Sequence, residues 1–222
     1  IDMDLGNILF FLFLFLCGYS YFIYPLLLVL VPARKTVDGE IAGVDDVYNL
    51  SLIITVHNEE DRIREKLENT LALDYPREQL EVIVASDYST DTTDSIVESY
   101  ADRGIKLVRA DQRKGKEYAQ LCAIREARGD ILVFSDVATT IPPEAMQNLA
   151  AAFNDSRVGA LSSEDRFVSQ DGRVAGEGAY VKYEMWLRRM ESDRAGLIGL
   201  SGSFFAARRE VCEDWDIYSP SD

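Results

Sequence analysis

From Ile8 to Val31 the chain reads ILFFLFLFLCGYSYFIYPLLLVLV, without one charged residue. About 20 such residues suffice to cross the ~30 Å hydrocarbon layer of a bilayer as a helix. A soluble helix of that length needs a polar face, and this stretch has none. Two readings compete: a cleaved leader and a retained transmembrane helix. A leader begins with a basic region and ends in a small-residue cleavage site. Here Asp2 and Asp4 precede the run, and no A-x-A-like site follows it. A retained transmembrane anchor over residues 1–34 is therefore expected. Tyr19, Tyr21 and Tyr24 suit a membrane–water boundary, and Pro25 marks a kink or the interface itself. Arg34 and Lys35 follow the span while acids precede it, so the positive-inside tendency puts the remainder in the cytoplasm.

Residues 35–48 are polar, acidic and glycine-containing, and read as a linker. The chain has 222 residues, 47% of them hydrophobic, enough for one packed domain beyond the anchor. A net charge of -15 argues against a nucleic-acid polymer as partner, since phosphate backbones need a basic surface. Cys17, Cys122 and Cys212 are scattered without metal-ligand spacing and read as small buried thiols.

After the linker, strand and helix patterns alternate. Leu50–Thr55, Leu80–Ala85, Ile105–Arg109, Ile131–Phe134 and Val158–Leu161 are apolar, partly β-branched runs that predict strands. Between them, Glu59–Leu73, a segment capped by Thr90 or Asp91 and running to Ala101, Lys116–Ala127, and a segment opened by Pro142 and Pro143 predict helices. Such alternation makes an α/β fold, a mainly parallel sheet with helices on both faces. Past about Ser162 the alternation stops. A polar loop leads to a long helix over 175–194 with Tyr180, Tyr183, Trp186 or Leu187, and Met190 on one face, and then to GLIGLSGSFFAARRE. That aromatic face suits a core, a membrane surface or an acceptor groove.

Ligands of parallel sheets bind at the carboxyl ends of the strands. Those ends carry Thr55-Val56-His57-Asn58-Glu59, Ser86-Asp87-Tyr88-Ser89-Thr90-Asp91, Asp111-Gln112-Arg113-Lys114-Gly115-Lys116 and Ser135-Asp136-Val137-Ala138-Thr139-Thr140. Each cluster alone has a plain structural use as a cap or a turn; their convergence on one rim does not. The mixture suits a nucleoside diphosphate: carboxylates accept from base and ribose, and lysines balance phosphate charge. There is no G-x-G-x-x-G after the first strand and no G-x-x-x-x-G-K-[ST], which sets aside dinucleotide dehydrogenases and P-loop NTPases.

From Leu50 to Asp222 the chain resembles the family 2 glycosyltransferases of the GT-A fold. The resemblance rests on SLIITVHNEE, EVIVASDYSTDTTDSI, KGKEYAQLCAIREARGDILVFSDVATT and GLSGSFFAARREV, in order and spacing. It implies a domain over 49–222, with a nucleotide-binding half at about 49–161 and an acceptor-side half at about 162–222. It also implies inverting transfer of a sugar from a nucleotide-diphosphate donor, commonly a UDP-sugar. Position by position, it implies that Asp87 binds the base, that Thr55 and His57 frame it, and that Glu59 belongs to the donor rim. Lys116 would lie near the pyrophosphate, and Asp136 would hold the ribose and a Mg²⁺ or Mn²⁺ ion. Gly202 and Ser203, with Trp186, would line the sugar and acceptor pocket.

Three departures qualify the match. The family's D-x-D reads Asp136-Val137-Ala138, so the second metal carboxylate is missing. Ser86 replaces the first acid of the D-D pair. The catalytic base lies in an acidic pair after the G-S segment, and the chain stops at Asp222, about where that pair begins; Asp222 is the candidate base of an incomplete catalytic domain. The expected protein is a membrane-anchored, metal-dependent glycosyltransferase of polysaccharide or glycoconjugate synthesis, working on a carbohydrate, lipid-linked or protein acceptor. The competing reading is a non-catalytic nucleotide-sugar binding subunit or sensor of a membrane complex.

Overall fold

The computed structural model describes residues 4–33, 48–163, 179–194, 196 and 199–219. Two compact units emerge, Ile1–Asp38 with Arg166–Gly199, and Gly39–Asp165 with Leu200–Asp222.

The first unit holds one apolar helix, Leu5–Leu30, long enough to cross a membrane. It comprises α1 (Leu5–Gly18), a π turn (Tyr19–Ile23) and α2 (Tyr24–Leu30). Asp4 caps it by accepting the Asn7 N–H at 2.8 Å. The wide turn falls just before Pro25, whose ring removes the N–H that the Tyr21 carbonyl would accept. The Tyr183 hydroxyl donates to that carbonyl instead, at 3.0 Å. Tyr183 lies on α7 (Ala179–Arg194), which runs beside α2. Further along, the Tyr24 hydroxyl donates to Glu191 at 2.7 Å, and Arg194 donates to the carbonyls of Val29 and Val31. Arg194 thus satisfies carbonyls that a helix end leaves unpaired. Glu184 pairs with Arg188, whereas Glu191 is buried against Tyr24. The start expected for this helix, at 175, lies outside the described residues.

The second unit is a six-stranded sheet in the order β3-β2-β1-β4-β6-β5. Strands β1 (Leu50–Val56), β2 (Leu80–Ser86), β3 (Ile105–Arg109) and β4 (Ile131–Asp136) are mutually parallel. Because side chains alternate along a strand, β1 feeds both faces. Leu50, Leu52, Ile54 and Val56 pack with α3 (Ile63–Leu71), α4 (Thr93–Glu98) and α6 (Ala145–Ala152). Ile53 points the other way, toward Ala119 and Ala123 of α5 (Lys116–Glu126). Burying each such aliphatic side chain is worth roughly 1.5–3 kcal/mol. The predicted strands and helices recur with ends shifted by a few residues. The cap of α4 falls on Thr92 rather than on Thr90 or Asp91, with no side chain closing it; Asp91, one residue earlier, accepts the Thr93 N–H at 3.0 Å.

One strand was not anticipated. β6 (Phe204–Arg208) runs antiparallel between β4 and β5 (Ala160–Ser162), inside a segment that carried no predicted element. Phe205 stacks on Phe134 with centroids 4.6 Å apart, and Trp215 stacks on Phe134 at 5.0 Å. Cys212 is buried nearby, and burial pushes its thiol up to about 11, as befits a packing residue.

Gly129 shows how tightly β4 enters the sheet. A Cβ there would lie 2.5 Å from the Ser51 nitrogen and 2.8 Å from the Asn49 oxygen. Only glycine permits that approach, which lets the Gly129 N–H reach Ser51 Oγ at 2.8 Å. Gly129→Ala should lower stability by about 1–3 kcal/mol, the cost of overpacking against backbone. A urea melt reads this directly, and an unshifted midpoint would show that the 49–51 backbone gives way.

Candidate functional site

The strand order reverses at β1, which has β2 on one side and β4 on the other. The crevice at such a switch point, beyond the carboxyl ends, is where open α/β sheets bind ligands. Thr55, near the end of β1, faces Ala85 on β2 and Asp136 on β4 in register. Its Oγ1 is buried and has no hydrogen-bond partner among the described residues. Such a group costs free energy unless a ligand satisfies it.

The loops after β1 and β2 are bonded to each other. The Asp87 N–H donates to the Val56 carbonyl at 2.9 Å, and His57 Nδ1 lies 2.7 Å from the Asp87 carbonyl. Asn58 and Tyr88, one beyond each strand end, both have positive φ, of 53° and 55°. Backbone strain of this kind concentrates at functional loops. The Glu59 backbone N–H donates to Thr93 Oγ1 at 2.8 Å, and the Glu59 carbonyl opens α3 by accepting from Ile63.

Asp87 is buried, and its carboxylate already has partners. It accepts the backbone N–H groups of Lys114 and Gly115, at 3.0 and 3.2 Å. Gly115 takes φ 98°, a left-handed conformation that brings both amides onto one acid just before α5 begins. The result is a basic loop pinned to the end of β2. Sequence reasoning gave Asp87 to the base alone; its role in holding this loop was missed.

Lys116, the first residue of α5, completes the rim. Its ammonium lies 3.1 Å from Asp136 Oδ1 and donates to the Gly202 carbonyl at 2.9 Å. The Asp136 N–H in turn donates to the Ser203 carbonyl at 3.0 Å. Gly202 and Ser203, adjoining β6, are therefore brought against Asp136 and Lys116. Trp186 lies on α7, exposed, with its ring 5.8 Å from Tyr183; it belongs to the other unit. Asp222 lies outside the described residues.

A second lysine stands behind the rim. Lys66 on α3 is only 3% exposed, and its Nζ donates to Ser135 Oγ at 2.7 Å and to the Thr139 carbonyl at 2.5 Å. Burial pulls its ammonium down to about 7, while the nearby Asp136 carboxylate acts in the opposite direction. No strand-end motif pointed to it. The signal was helical spacing: Lys66 shares the inward face with Ile63, Leu67 and Thr70.

The side chains present fit a divalent ion poorly. Asp136 stands alone, since position 138 is alanine, and its carboxylate already engages an ammonium. Among the described residues no three of His, Cys, Asp or Glu come together as metal ligands.

This fold, with its acid and lysine rim at the switch point, is that of a nucleotide-sugar transferase. Residues 51–216 match Glycosyl transferase family 2, and the chain belongs to that family. It is 24% identical over 174 residues to the hyaluronan synthase of Streptococcus pyogenes, covering 74% of this chain and 41% of that protein. It is also 24% identical over 181 residues to the poly-beta-1,6-N-acetyl-D-glucosamine synthase of Staphylococcus aureus, covering 78% and 43%. The chain thus spans less than half the length of these curated relatives. Among solved structures, the mannosyltransferase PcManGT from Pyrobaculum calidifontis, in complex with GDP-Man and Mn²⁺, is similar with a TM-score of 0.67 and 27% identity, over 88% of this chain and 55% of that one. S. aureus TarS in complex with UDP-GlcNAc shares the fold, with a TM-score of 0.57 and 24% identity over 78% of this chain and 48% of that one.

Proposed function

We propose that the chain is the membrane-anchored, cytoplasm-facing part of an inverting glycosyltransferase, which moves a sugar from a nucleotide diphosphate, a UDP-sugar, to an acceptor hydroxyl in polysaccharide or glycoconjugate synthesis. The observation that carries this reading is the meeting of Thr55, the Asp87-pinned loop, Lys116 and Asp136 at one strand-end crevice. The base would sit between Thr55, whose orphaned Oγ1 gains a partner, and the His57–Asp87 contact. Asp136 would take the ribose, and Lys116 would face the diphosphate. An ammonium aimed where charge develops in the transition state lowers the barrier to departure of the nucleotide.

The acceptor hydroxyl would attack the anomeric carbon from the face opposite the diphosphate, losing its proton to a carboxylate, for which Asp222 is the candidate. Gly202 and Ser203 would border the sugar. A Mg²⁺ or Mn²⁺ ion would find Asp136 as its one carboxylate here, so no step is assigned to it. The anchor reading draws on the apolar Leu5–Leu30 helix, and the polymer reading on the names of the two synthases.

Calorimetric titration of the anchored protein in detergent with UDP, GDP and ADP tests the donor site. One diphosphate should bind selectively, and Thr55→Val should weaken it about five- to tenfold, the worth of one hydrogen bond. No binding to a folded protein would sink the reading. Selective binding without sugar transfer to any acceptor in membrane extracts would favour a sensor.

A further inference from the structure

In the family pattern two acids flank position 137, and they imply a divalent ion that offsets the diphosphate charge. This chain keeps Asp136, has Ala138 in place of the second acid, and sets two lysines around the survivor. Lys116 reaches Asp136 Oδ1 at 3.1 Å, so the surviving carboxylate already has an ammonium as partner. Lys66 lies beneath the same loop, bonded to Ser135 Oγ and the Thr139 carbonyl, both neutral, so no ion pair at those contacts cancels its charge. Two carboxylates, a divalent ion and one lysine would leave a site with a single positive charge. One carboxylate with two ammoniums leaves the same once the bound diphosphate holds Lys66, whose value in the free protein is about 7, in its charged form. A nearby dianion also favours the charged form of a buried lysine.

We propose that this chain neutralises the leaving diphosphate with Lys116, backed by Lys66, and uses its donor without a divalent cation. The inference rests on the donor-site reading above. In the transfer, the bond between the anomeric carbon and the phosphate oxygen breaks, and its electron pair stays on the nucleoside diphosphate. The acceptor oxygen forms the new bond, and its proton passes to the base carboxylate. Lys116 holds the charge that gathers on the departing oxygen. A lysine suits this as a compact cation that needs no second protein ligand.

The test titrates the whole anchored protein with UDP and GDP, in EDTA and again in Mn²⁺. The diphosphate that binds should do so within about twofold in the two buffers. Lys116→Met should weaken it at least ~30-fold, about 2 kcal/mol, with Lys116→Arg retaining most of the affinity. Ala138→Asp restores the second acid, and that variant should bind at least ~10-fold more tightly in Mn²⁺ than in EDTA. Wild-type affinity that collapses in EDTA and returns with Mn²⁺ would overturn the inference and leave the donor site standing. Failure to bind either diphosphate in both buffers would overturn the donor site as well.

Discussion

Replacing Lys66 by methionine should make the protein more stable near neutral pH and remove most of the rise in stability on going alkaline. Lys66 is buried on α3, and its folded value, about 7, lies well below the ordinary 10.5 of a lysine. Between those values the unfolded chain binds a proton that the folded chain does not. Stability therefore rises with pH through that window. It is complete above about 10.5, lost progressively as pH falls toward 7, and flat below. At about 1.36 kcal/mol per unit, the full swing has a ceiling of roughly 5 kcal/mol, and relaxation around the ammonium brings it toward 3. Methionine has similar length and no charge, but it abandons the Thr139 carbonyl, at a cost of about 1 kcal/mol. The net gain expected at pH 6.5 is about 2 kcal/mol, shrinking to nothing or slightly below by pH 10. Urea melts of both proteins across pH 6 to 10 give the two curves, and parallel curves would mean that Lys66 is not the group responsible. A stable variant with weakened donor binding would mark Lys66 as a charge kept for function at the expense of stability.

Lys66 also shows where the sequence stops being legible. The parallel half of the sheet was readable because a strand buried on both faces must be a continuous apolar run, and Leu50–Val56 and Ile131–Phe134 are such runs. The rim was readable because a parallel sheet gathers strand ends, so motifs distant in sequence had to converge. Strand β6 escaped: Phe204 to Ala207 is short, sits in a glycine- and serine-rich segment, and pairs antiparallel where a parallel strand is the habit of the pattern. What Asp87 holds escaped too. A carboxylate beside an exposed crevice looks like a ligand contact, and nothing in the sequence says that two backbone amides some 27 residues away will claim it. Lys66 escaped because a lysine between Glu65 and Leu67 looks solvated until the helix is placed against β4.

Asp87→Ala should cost about 3–4 kcal/mol of stability and reduce diphosphate affinity at least ~100-fold. The amides of Lys114 and Gly115 share Asp87 as their acceptor, and it is buried. A hydrogen bond to an ionised acceptor contributes about 1.5–3 kcal/mol, and removing the acid orphans both donors. The loop they anchor leads straight into Lys116, which would lose its register against Asp136 and Gly202. Misplacement by about 1 Å suffices to spoil an electrostatic contact of this kind. Asp87→Asn separates the two roles that the residue can play. The amide keeps one oxygen for the loop but loses the charge and one acceptor, so stability should fall by only about 1–2 kcal/mol. If Asp87 acts chiefly as a pin, affinity should recover in step with stability, to within about tenfold of wild type. Were the carboxylate's main work a direct contact with the base, both variants would leave the urea midpoint nearly unmoved while binding still disappeared. Melts and titrations on the same two variants decide between those outcomes.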